Sequence, residues 1–269
     1  MKTISSLSGG KTSSYMAYHY PSDIEIFSLI RIEDKECTPK DKKLVQMVED
    51  KIQVPFIATT ESDKTLKVMF DLEQLIQKEI IWVTGLTFEQ LIKKKSNYLP
   101  NRDTRFCTTE LKIRPIFDWW YKNIGEKVYM NIGYRHDEEE RQDNFSTSFK
   151  GIVGKRGTRN KWEEIEWRVG LFPLITDKID HYKVYKWAKS TNLDFPPDSN
   201  CVGCFHKDPQ QLRKNFEDEK LKMTWFKNQE NKKGSWKSGW RYSDIENIGL
   251  QLDFHFGTGS GCNSGGCTN

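Results

Sequence analysis

The sequence has no run of about 18 apolar residues, the length that a membrane-spanning helix needs. It also has no apolar leader before its first polar motif, which begins at Ser8. We therefore expect a cytoplasmic location and no membrane partner. Charged residues make up 30% and hydrophobic residues 36% of the 269 positions, which excludes a disordered class. The net charge of +4 is too small to identify a nucleic-acid-binding protein by itself.

A complete Walker A motif is also missing, because Ser5 stands where the pattern G-x-x-x-x-G-K-[ST] needs its first glycine. The residues present instead, in the form S-G-G-x-x-S, are Ser8, Gly9, Gly10, Lys11, Thr12 and Ser13. They follow a short strand and open a helix. Glycine lets the backbone approach a ligand, the hydroxyls donate to oxyanions, and the helix N-terminus adds positive charge. The stretch therefore predicts a phosphate-binding loop.

Apolar runs of strand length alternate with amphipathic helical stretches, which predicts an α/β protein with a mainly parallel, doubly wound sheet. The strand-like runs lie at 4–7, 24–30, 54–58, 80–83, 128–132 and 171–175. The predicted domains are a nucleotide-binding α/β domain over 1–195 and a cysteine-bearing helical lobe and tail over 196–269. Glycines and a basic cluster predict an inserted lid or hairpin at 143–170.

The segment after the strand at 128–132 carries Gly133, Arg135 and Glu138. Doubly wound sheets bind their ligands at this end of their strands. Arg135 offers a planar fork for two oxygens of an anion. The alternative is a surface ion pair with Glu138 or Glu139.

A third motif, R-x-C-x(4)-K-x-x-P, runs from Arg105 to Pro115. It is predicted as a loop in which the thiol of Cys107 lies among cations that favour its thiolate. Lys112 of this motif would stabilise the charge that develops as a pyrophosphate leaves.

In their order along the chain, at 8–13, 105–115 and 133–138, the three motifs resemble the phosphoadenosine phosphosulfate (PAPS) reductase family, over about residues 1–205. This family lies within the PP-loop, or adenine nucleotide alpha hydrolase-like, superfamily, whose members bind ATP or a sulfonucleotide. The resemblance implies a Rossmann-like fold and an adenine nucleotide on residues 8–13. It also implies that Arg135 and Lys112 neutralise phosphate or sulfate oxygens. Instead of pairing with Arg135, Glu138 would help to hold a Mg²⁺ ion.

The six cysteines indicate metal or redox chemistry rather than a disulfide framework. Cys201-x-x-Cys204 has the spacing of a chelating pair, and it resembles a segment of PAPS-reductase-like proteins, some of which assemble an iron-sulfur cluster. Cys107 would be the third ligand and Cys262 or Cys267 the fourth. A closed zinc site of Cys201, Cys204, Cys262 and Cys267 is one alternative, and reduced cysteines without metal are the other. His206 is an extra candidate ligand, while Cys37 is predicted to be buried.

The leading functional hypothesis is a nucleotide-dependent enzyme of sulfur metabolism in which Cys107 acts with a metal-sulfur centre. One version transfers sulfur to a nucleic acid and cleaves ATP to AMP and pyrophosphate. The other reduces a sulfonucleotide, PAPS or its relative APS, to sulfite with a thiol or an electron donor protein. The chain lacks the adjacent Cys-Cys pair and the E-C-G-L-H tail of assimilatory reductases. A non-catalytic nucleotide-binding sensor or interaction module is the alternative from another class.

Four tryptophans lie in basic, polar segments and would suit a nucleic-acid substrate, although packing within a lid is the simpler explanation. They are Trp162, Trp167, Trp236 and Trp240.

Overall fold

The computed structural model describes residues 1–250. The strands are β1 (Thr3–Leu7), β2 (Ile24–Ser28), β3 (Arg31–Ile32), β4 (Ala58–Thr59), β5 (Ile80–Val83), β6 (Val128–Asn131), β7 (Ser148–Arg156), β8 (Arg159–Glu166) and β9 (Arg168–Leu171). The helices are α1 (Lys11–His19), α2 (Lys42–Ile52), α3 (Asp63–Leu75), α4 (Phe88–Lys94), α5 (Phe106–Thr108), α6 (Arg114–Asn123), α7 (Pro173–Thr176), α8 (His181–Ser190), α9 (Pro209–Asp218), α10 (Lys220–Gln229) and α11 (Tyr242–Asn247). None of the helices within residues 1–250 has the length and hydropathy needed to cross a lipid bilayer.

The central sheet has five strands in the order β5-β2-β1-β6-β9, and every pair is parallel. This confirms the predicted α/β class with a parallel sheet. The chain moves outward from β1 to β2 and β5, and then returns to the other side of β1 for β6 and β9. The carboxyl ends of β1 and β6 therefore flank the point where the strand order reverses, which is where open α/β sheets form a ligand crevice.

Successive residues of the strands face opposite sides of the sheet, and each side has its own apolar core. Leu7, Phe27 and Trp82 pack with α2 and α3 on one side. Ile26 and Val83 pack with α6 on the other. Helices therefore cover both faces, which explains the nearly continuous apolar character of the strand sequences.

Two strand predictions are wrong in position. The run at 54–58 contributes only β4, which pairs antiparallel with β3 outside the central sheet. Pro55 has no N–H to donate, and the N–H of Phe56 donates to the Glu49 carboxylate at 2.8 Å instead. The run at 171–175 begins at Leu171, the last residue of β9, and continues into α7, because Pro173 occupies the first turn of that helix.

The segment at 105–115 is also helical rather than a loop. Helix α5, a turn of π-helix at Thr109–Ile113 and helix α6 follow one another without a break. A π-turn widens the helix and is common at functional sites. Cys107 and Lys112 therefore lie on one helical stretch.

Helices α9, α10 and α11 bury their apolar side chains in a third core cluster. The cluster also contains Ile30 and Ile32 from the N-terminal part of the chain and Leu91 from α4. Residues 196–250 thus pack directly on the elements that follow β2.

Cys37 belongs to this third cluster and is 4% exposed, as the sequence predicted. Burial raises the pKa of its thiol to about 12, and Asp34 adds to the rise. A thiol whose pKa is raised on folding stabilises the fold below the pKa of the unfolded thiol, about 8.5, and this contribution is lost as the pH rises towards 12.

The free energy of unfolding is therefore expected to fall by about 2 kcal/mol more in the wild type than in Cys37→Ala between about pH 8 and pH 10. Urea unfolding at the two pH values measures this difference. An equal fall in the free energy of unfolding of the wild type and of Cys37→Ala would show that the pKa of Cys37 is not raised by folding.

Candidate functional site

The Ser8–Ser13 loop connects β1 to α1 at the centre of the sheet. The hydroxyl of Ser13 closes the loop, because it accepts from the N–H of Ser8 at 3.2 Å, lies 3.1 Å from the hydroxyl of Ser8, and donates to the carbonyl of Gly10 at 3.1 Å. Gly9 has a φ of +69°, a conformation that favours glycine. The loop is thus held in one tight shape before any ligand binds.

Helix α1 begins after Gly10 without a side-chain cap at its N-terminus. The free N–H groups of its first turn can therefore bind an anion. The segment 196–200 lies across this turn, since a Cβ on Gly10 would lie 2.4 Å from the hydroxyl oxygen of Ser199. Glycine at position 10 makes room for this covering segment.

The amine of Lys11 points to the covering segment as well. Its Nζ donates to the carbonyl oxygens of Pro196 at 3.3 Å and Pro197 at 3.4 Å, and lies 6.0 Å from the centre of the Phe195 ring. Burial lowers the pKa of Lys11, while Asp198 opposes the change. Lys11 thus joins the loop to residues 195–198, although the sequence predicted it as a phosphate ligand.

The loop after β6 contributes Arg135, which is 6% exposed. Its Nη1 donates to the hydroxyl of Thr12 at 3.2 Å, and its Nε and Nη2 donate to the Asp137 carboxylate at 3.1 and 3.0 Å. The ion pair with Glu138 that the sequence left as the alternative is present, at 3.4 Å, whereas the binding of an anion by Arg135 stays a prediction. Arg135 is paired with acids, and it also contacts the Ser8–Ser13 loop.

Glu138 is 7% exposed and lies between two guanidinium groups. Its Oε1 accepts from Arg141 at 2.6 Å, and its Oε2 lies 3.4 Å from Arg135. Arg141 also stacks on Tyr134, with 4.3 Å between its guanidinium carbon and the ring centre. A Mg²⁺ ion at Glu138 would have to displace one of these cations.

These groups surround a pocket of about 220 Å³ at the carboxyl ends of β1 and β6, which we call the nucleotide pocket. Its apolar wall includes Leu7, Phe27, Ile113, Ile116 and Ile132. Its polar wall includes Ser8, Thr12, Ser13, Lys112, Arg135 and Glu138. An apolar wall facing hydroxyls and cations suits a flat, hydrophobic ring that carries an anionic tail.

Lys112 reaches this pocket from the π-turn, and its Nζ lies 3.4 Å from Oε1 of Glu61. Glu61 is 0% exposed. Burial by itself would lower the pKa of Lys112, but the attraction of Glu61 and of the nearby cysteine sulfurs outweighs it, so the pKa is raised. Lys112 is thus held as a cation at the pocket wall.

Three cysteines from two segments line a smaller cavity of about 60 Å³, the thiol cavity. They are Cys107, Cys201 and Cys204, and His206 lines the cavity with them. The hydroxyl of Thr60 donates to the sulfur of Cys201 at 3.0 Å.

Burial raises the pKa of the Cys107 thiol to about 12, and Cys204 adds to the rise. The sequence predicted that neighbouring cations favour the thiolate of Cys107. In the protein without a bound metal or ligand this prediction is wrong, because burial outweighs the attraction of Lys112. Burial and the guanidinium of Arg105 lower the pKa of His206 to about 4, so this imidazole is neutral.

The nucleotide pocket and the thiol cavity share part of their walls. Thr108, Lys112 and Asn200 line both. Asn200 precedes Cys201 directly, and Thr108 follows Cys107. The three motifs that the sequence singled out are thus brought together at one place in the fold.

Within residues 1–250, no group of three or more His, Cys, Asp or Glu side chains is placed to hold a metal ion. Cys262 and Cys267, the predicted further ligands, lie outside the described residues. Cys107, Cys201 and Cys204 line one cavity without being placed as a metal-binding group, and we assign no reaction step to a metal or cluster.

Three residues of the site were missed from the sequence: Glu61, Arg141 and Arg168. Arg168 is 7% exposed, lines the nucleotide pocket and donates from Nε to the Ser146 carbonyl at 2.9 Å. Burial lowers its pKa to about 10. Arg141 lies three residues, about one helical turn, after Glu138. This spacing is the local sequence signal that could have identified Arg141 as a partner of Glu138.

The comparisons with known proteins give one distant relative. No family model matches the chain. The chain is 27% identical over 157 residues to the uncharacterized protein MJ0066 of Methanocaldococcus jannaschii. The alignment covers 57% of this chain and 30% of the archaeal protein, so the chain spans less than a third of that relative.

Proposed function

We propose that the chain is a PP-loop enzyme, similar to the PAPS reductase family, that binds an adenine nucleotide in the nucleotide pocket and acts in sulfur metabolism. The carrying observation is that the S-G-G-x-x-S loop, the Arg135 loop and Lys112 line one pocket where the strand order reverses. In the favoured reaction ATP transfers its AMP group to an oxygen of the acceptor and releases pyrophosphate. Sulfur from a hydrosulfide donor then displaces AMP, which leaves with that oxygen. Reduction of a sulfonucleotide is the second form of the proposal.

In this proposal the first-turn N–H groups of α1 and the hydroxyls of Ser8 and Ser13 bind phosphate oxygens. Arg135 holds Thr12 in place, because its guanidinium bonds to that hydroxyl. Lys112 neutralises the charge that develops on the phosphate or sulfate as the bond to it breaks. The apolar wall around Phe27 accommodates the adenine ring.

The deciding experiment incubates the protein with ATP and measures AMP and pyrophosphate, and in parallel with PAPS and a thiol reductant and measures sulfite. Pyrophosphate identifies the transferase form and sulfite the reductase form. Nucleotide binding without either product would favour the non-catalytic sensor. If neither nucleotide bound, the proposal would be overturned.

A metal-sulfur centre on Cys107, Cys201 and Cys204 is a separable part of the proposal, and it would supply electrons or hold sulfur. It is supported by the three thiols that line the thiol cavity. Protein purified without oxygen is expected to be brown and to contain iron and sulfide, and Cys201→Ser is expected to lose both. Cys37→Ala is the matched control, because Cys37 lies outside the cavity.

The metal content also separates the alternatives. Colourless protein with zinc would favour the closed site of Cys201, Cys204, Cys262 and Cys267. Iron that is unaffected by Cys201→Ser would contradict the assignment of the ligands, and protein without metal would remove this part of the proposal.

The cytoplasmic location and the division into a nucleotide-binding domain over 1–195 and a C-terminal cysteine-bearing lobe also remain proposals. The location is supported by the lack of a long apolar run in the sequence. The lobe is supported by the core cluster in which helices α9, α10 and α11 bury their apolar side chains.

A further inference from the structure

The hairpin of β7 and β8 leaves the body of the protein after a short base. At the base, Phe149 is buried in the core beside α6, and a Cβ on Gly151 would lie 2.7 Å from the ring of Phe117. Beyond the base, every residue from Gly154 to Glu164 is exposed. A two-stranded ribbon open to solvent on both faces buries little apolar surface. Its outer half therefore contributes little to the core.

The tip of the hairpin carries concentrated positive charge. The segment 154–161 contains Lys155, Arg156, Arg159 and Lys161 and no acidic residue. Arg156 and Arg159 lie directly opposite each other in the strand register, which is unfavourable for like charges. Among the ion pairs of residues 1–250, none includes Lys155, Arg156 or Arg159. Three cations are thus held together without an acidic partner.

A groove of about 690 Å³ runs between this hairpin and the start of α6. Trp162 lines it and is 44% exposed, with 5.7 Å between its ring centre and the guanidinium carbon of Arg114. Lys150 lines the groove too. The groove has two acidic wall residues, Glu110 and Glu164. Glu110 is paired with Arg114 at 2.9 Å, and the carboxylate of Glu164 accepts from the hydroxyl of Ser148, which limits their repulsion of an anion.

The groove leads to the nucleotide pocket, because Ile113 and Arg168 line both. The order along the surface is the cationic tip, the exposed indole, and then the pocket. Trp167 and Trp236, which the sequence grouped with Trp162, are buried in the core at 0% and 1% exposure. Trp240 is 38% exposed but lines neither the groove nor the nucleotide pocket, so Trp162 is the member of this group that lies at the mouth of the site.

We propose that the β7–β8 hairpin and its groove bind single-stranded nucleic acid, with phosphates on the tip and a base stacked on Trp162, so that the strand reaches the mouth of the nucleotide pocket. Cations that follow a backbone, combined with an aromatic face, form the usual single-strand binding surface. The acceptor of the enzyme proposed above would then be a nucleic acid. The reaction rests on that proposal, whereas the binding does not.

The test measures the fluorescence anisotropy of labelled RNA and DNA single strands of about 20 nucleotides, longer than one binding site of about 4–16. The variant Lys155→Ala/Arg156→Ala/Arg159→Ala is expected to bind about 10- to 100-fold more weakly near 0.1 M salt, with a salt slope smaller by about 2. Trp162→Ala is expected to lose about tenfold, and Trp162→Phe to retain most of the affinity.

The matched control removes the same charge elsewhere. Lys40, Lys42 and Lys43 are exposed on and before α2, and none forms an ion pair within the described residues. Lys40→Ala/Lys42→Ala/Lys43→Ala is expected to bind like the wild type. Thermal unfolding checks that each variant is folded.

Equal losses in the two triple variants, or no binding of single strands by the wild type, would overturn the proposal. Stronger capture by anionic lipid vesicles or by a poly-glutamate peptide through the same tip would replace nucleic acid with that partner. A Gly9→Ala variant that fails to bind ATP is expected to keep its affinity for the strand, so failure of the nucleotide site and failure of the hairpin can be told apart.

Discussion

Gly9→Ala is expected to lower the affinity for ATP or PAPS by about 100-fold, the cost of displacing a binding group by about 1 Å, while Gly125→Ala leaves it unchanged. The two glycines make an informative pair, because their backbones are alike. Gly9 has a φ of +69° and Gly125 a φ of +72°. Each replacement therefore pays the same penalty of about 1–2 kcal/mol for a left-handed L-residue.

What differs is the space around the new methyl group. A Cβ on Gly9 would lie 2.5 Å from Cγ2 of Thr65 and 3.3 Å from the Thr65 carbonyl oxygen, whereas a Cβ on Gly125 meets nothing within 4 Å. Thr65 is fully buried in α3 and has no room to withdraw. The Ser8–Ser13 loop must therefore shift, and with it the hydroxyls that face the phosphates.

Equilibrium titration with each nucleotide measures the affinity, and urea unfolding measures the free energy of unfolding for both variants. Gly125→Ala serves as the control for backbone strain. If Gly9→Ala bound nucleotide as tightly as Gly125→Ala, the loop would not be the phosphate site.

Lys112→Met is expected to lower the rate of pyrophosphate or sulfite formation by about 10²–10³, the usual cost of removing one group that stabilises developing charge. Nucleotide affinity is expected to change by only a few-fold, because Ser8, Ser13 and the N-terminus of α1 remain. Lys112→Arg restores the charge and is expected to recover part of the rate.

The physical reason is the position of Lys112 on the wall shared by the nucleotide pocket and the thiol cavity. Glu61 keeps the amine of Lys112 charged. The side chain of Lys112 is 31% exposed, so it can turn towards the nucleotide pocket or towards the thiol cavity. Removing the amine of Lys112 also takes away the cation that pairs with the buried carboxylate of Glu61. Lys222 does not replace it, because its amine bonds to the Glu61 carbonyl oxygen rather than to the carboxylate.

Single-turnover measurements at saturating nucleotide separate the chemical step from binding. Lys122→Met is the control, because Lys122 is exposed near the end of α6, the helix that continues from the π-turn of Lys112. A loss of affinity with an unchanged rate at saturation would assign Lys112 to binding alone, and no change in either quantity would remove it from the site.

The sequence was sufficient where the signal is local. The apolar runs in β1, β2, β5 and β6 predict a parallel sheet because both faces of that sheet are covered. The loop at 8–13 was found from its own spacing of glycines and hydroxyls. The run at 54–58 misled because Pro55 and the bond from Phe56 to Glu49 exclude it from the sheet.

The parts of the site that depend on distant contacts were not predictable. Glu61 and Lys112 are 51 positions apart, and nothing near Glu61 in the sequence marks it as a partner. The environment of Cys107 was misjudged for the same reason, since the sequence shows its cationic neighbours but not the Cys201 segment that buries it. A local sequence pattern shows which residue types are neighbours. The burial that sets their pKa values depends on how distant segments pack around them.

The covering segment at 196–200 also sets the order in which the site can be completed. The contact from Lys11 to Pro196 spans 185 positions, so the ribosome, at about 5–20 residues per second, makes the two partners about 10–40 s apart. During that interval the loop after β1 has no wall opposite its helix. Chains that stop before residue 196 therefore lack the wall that covers the first turn of α1.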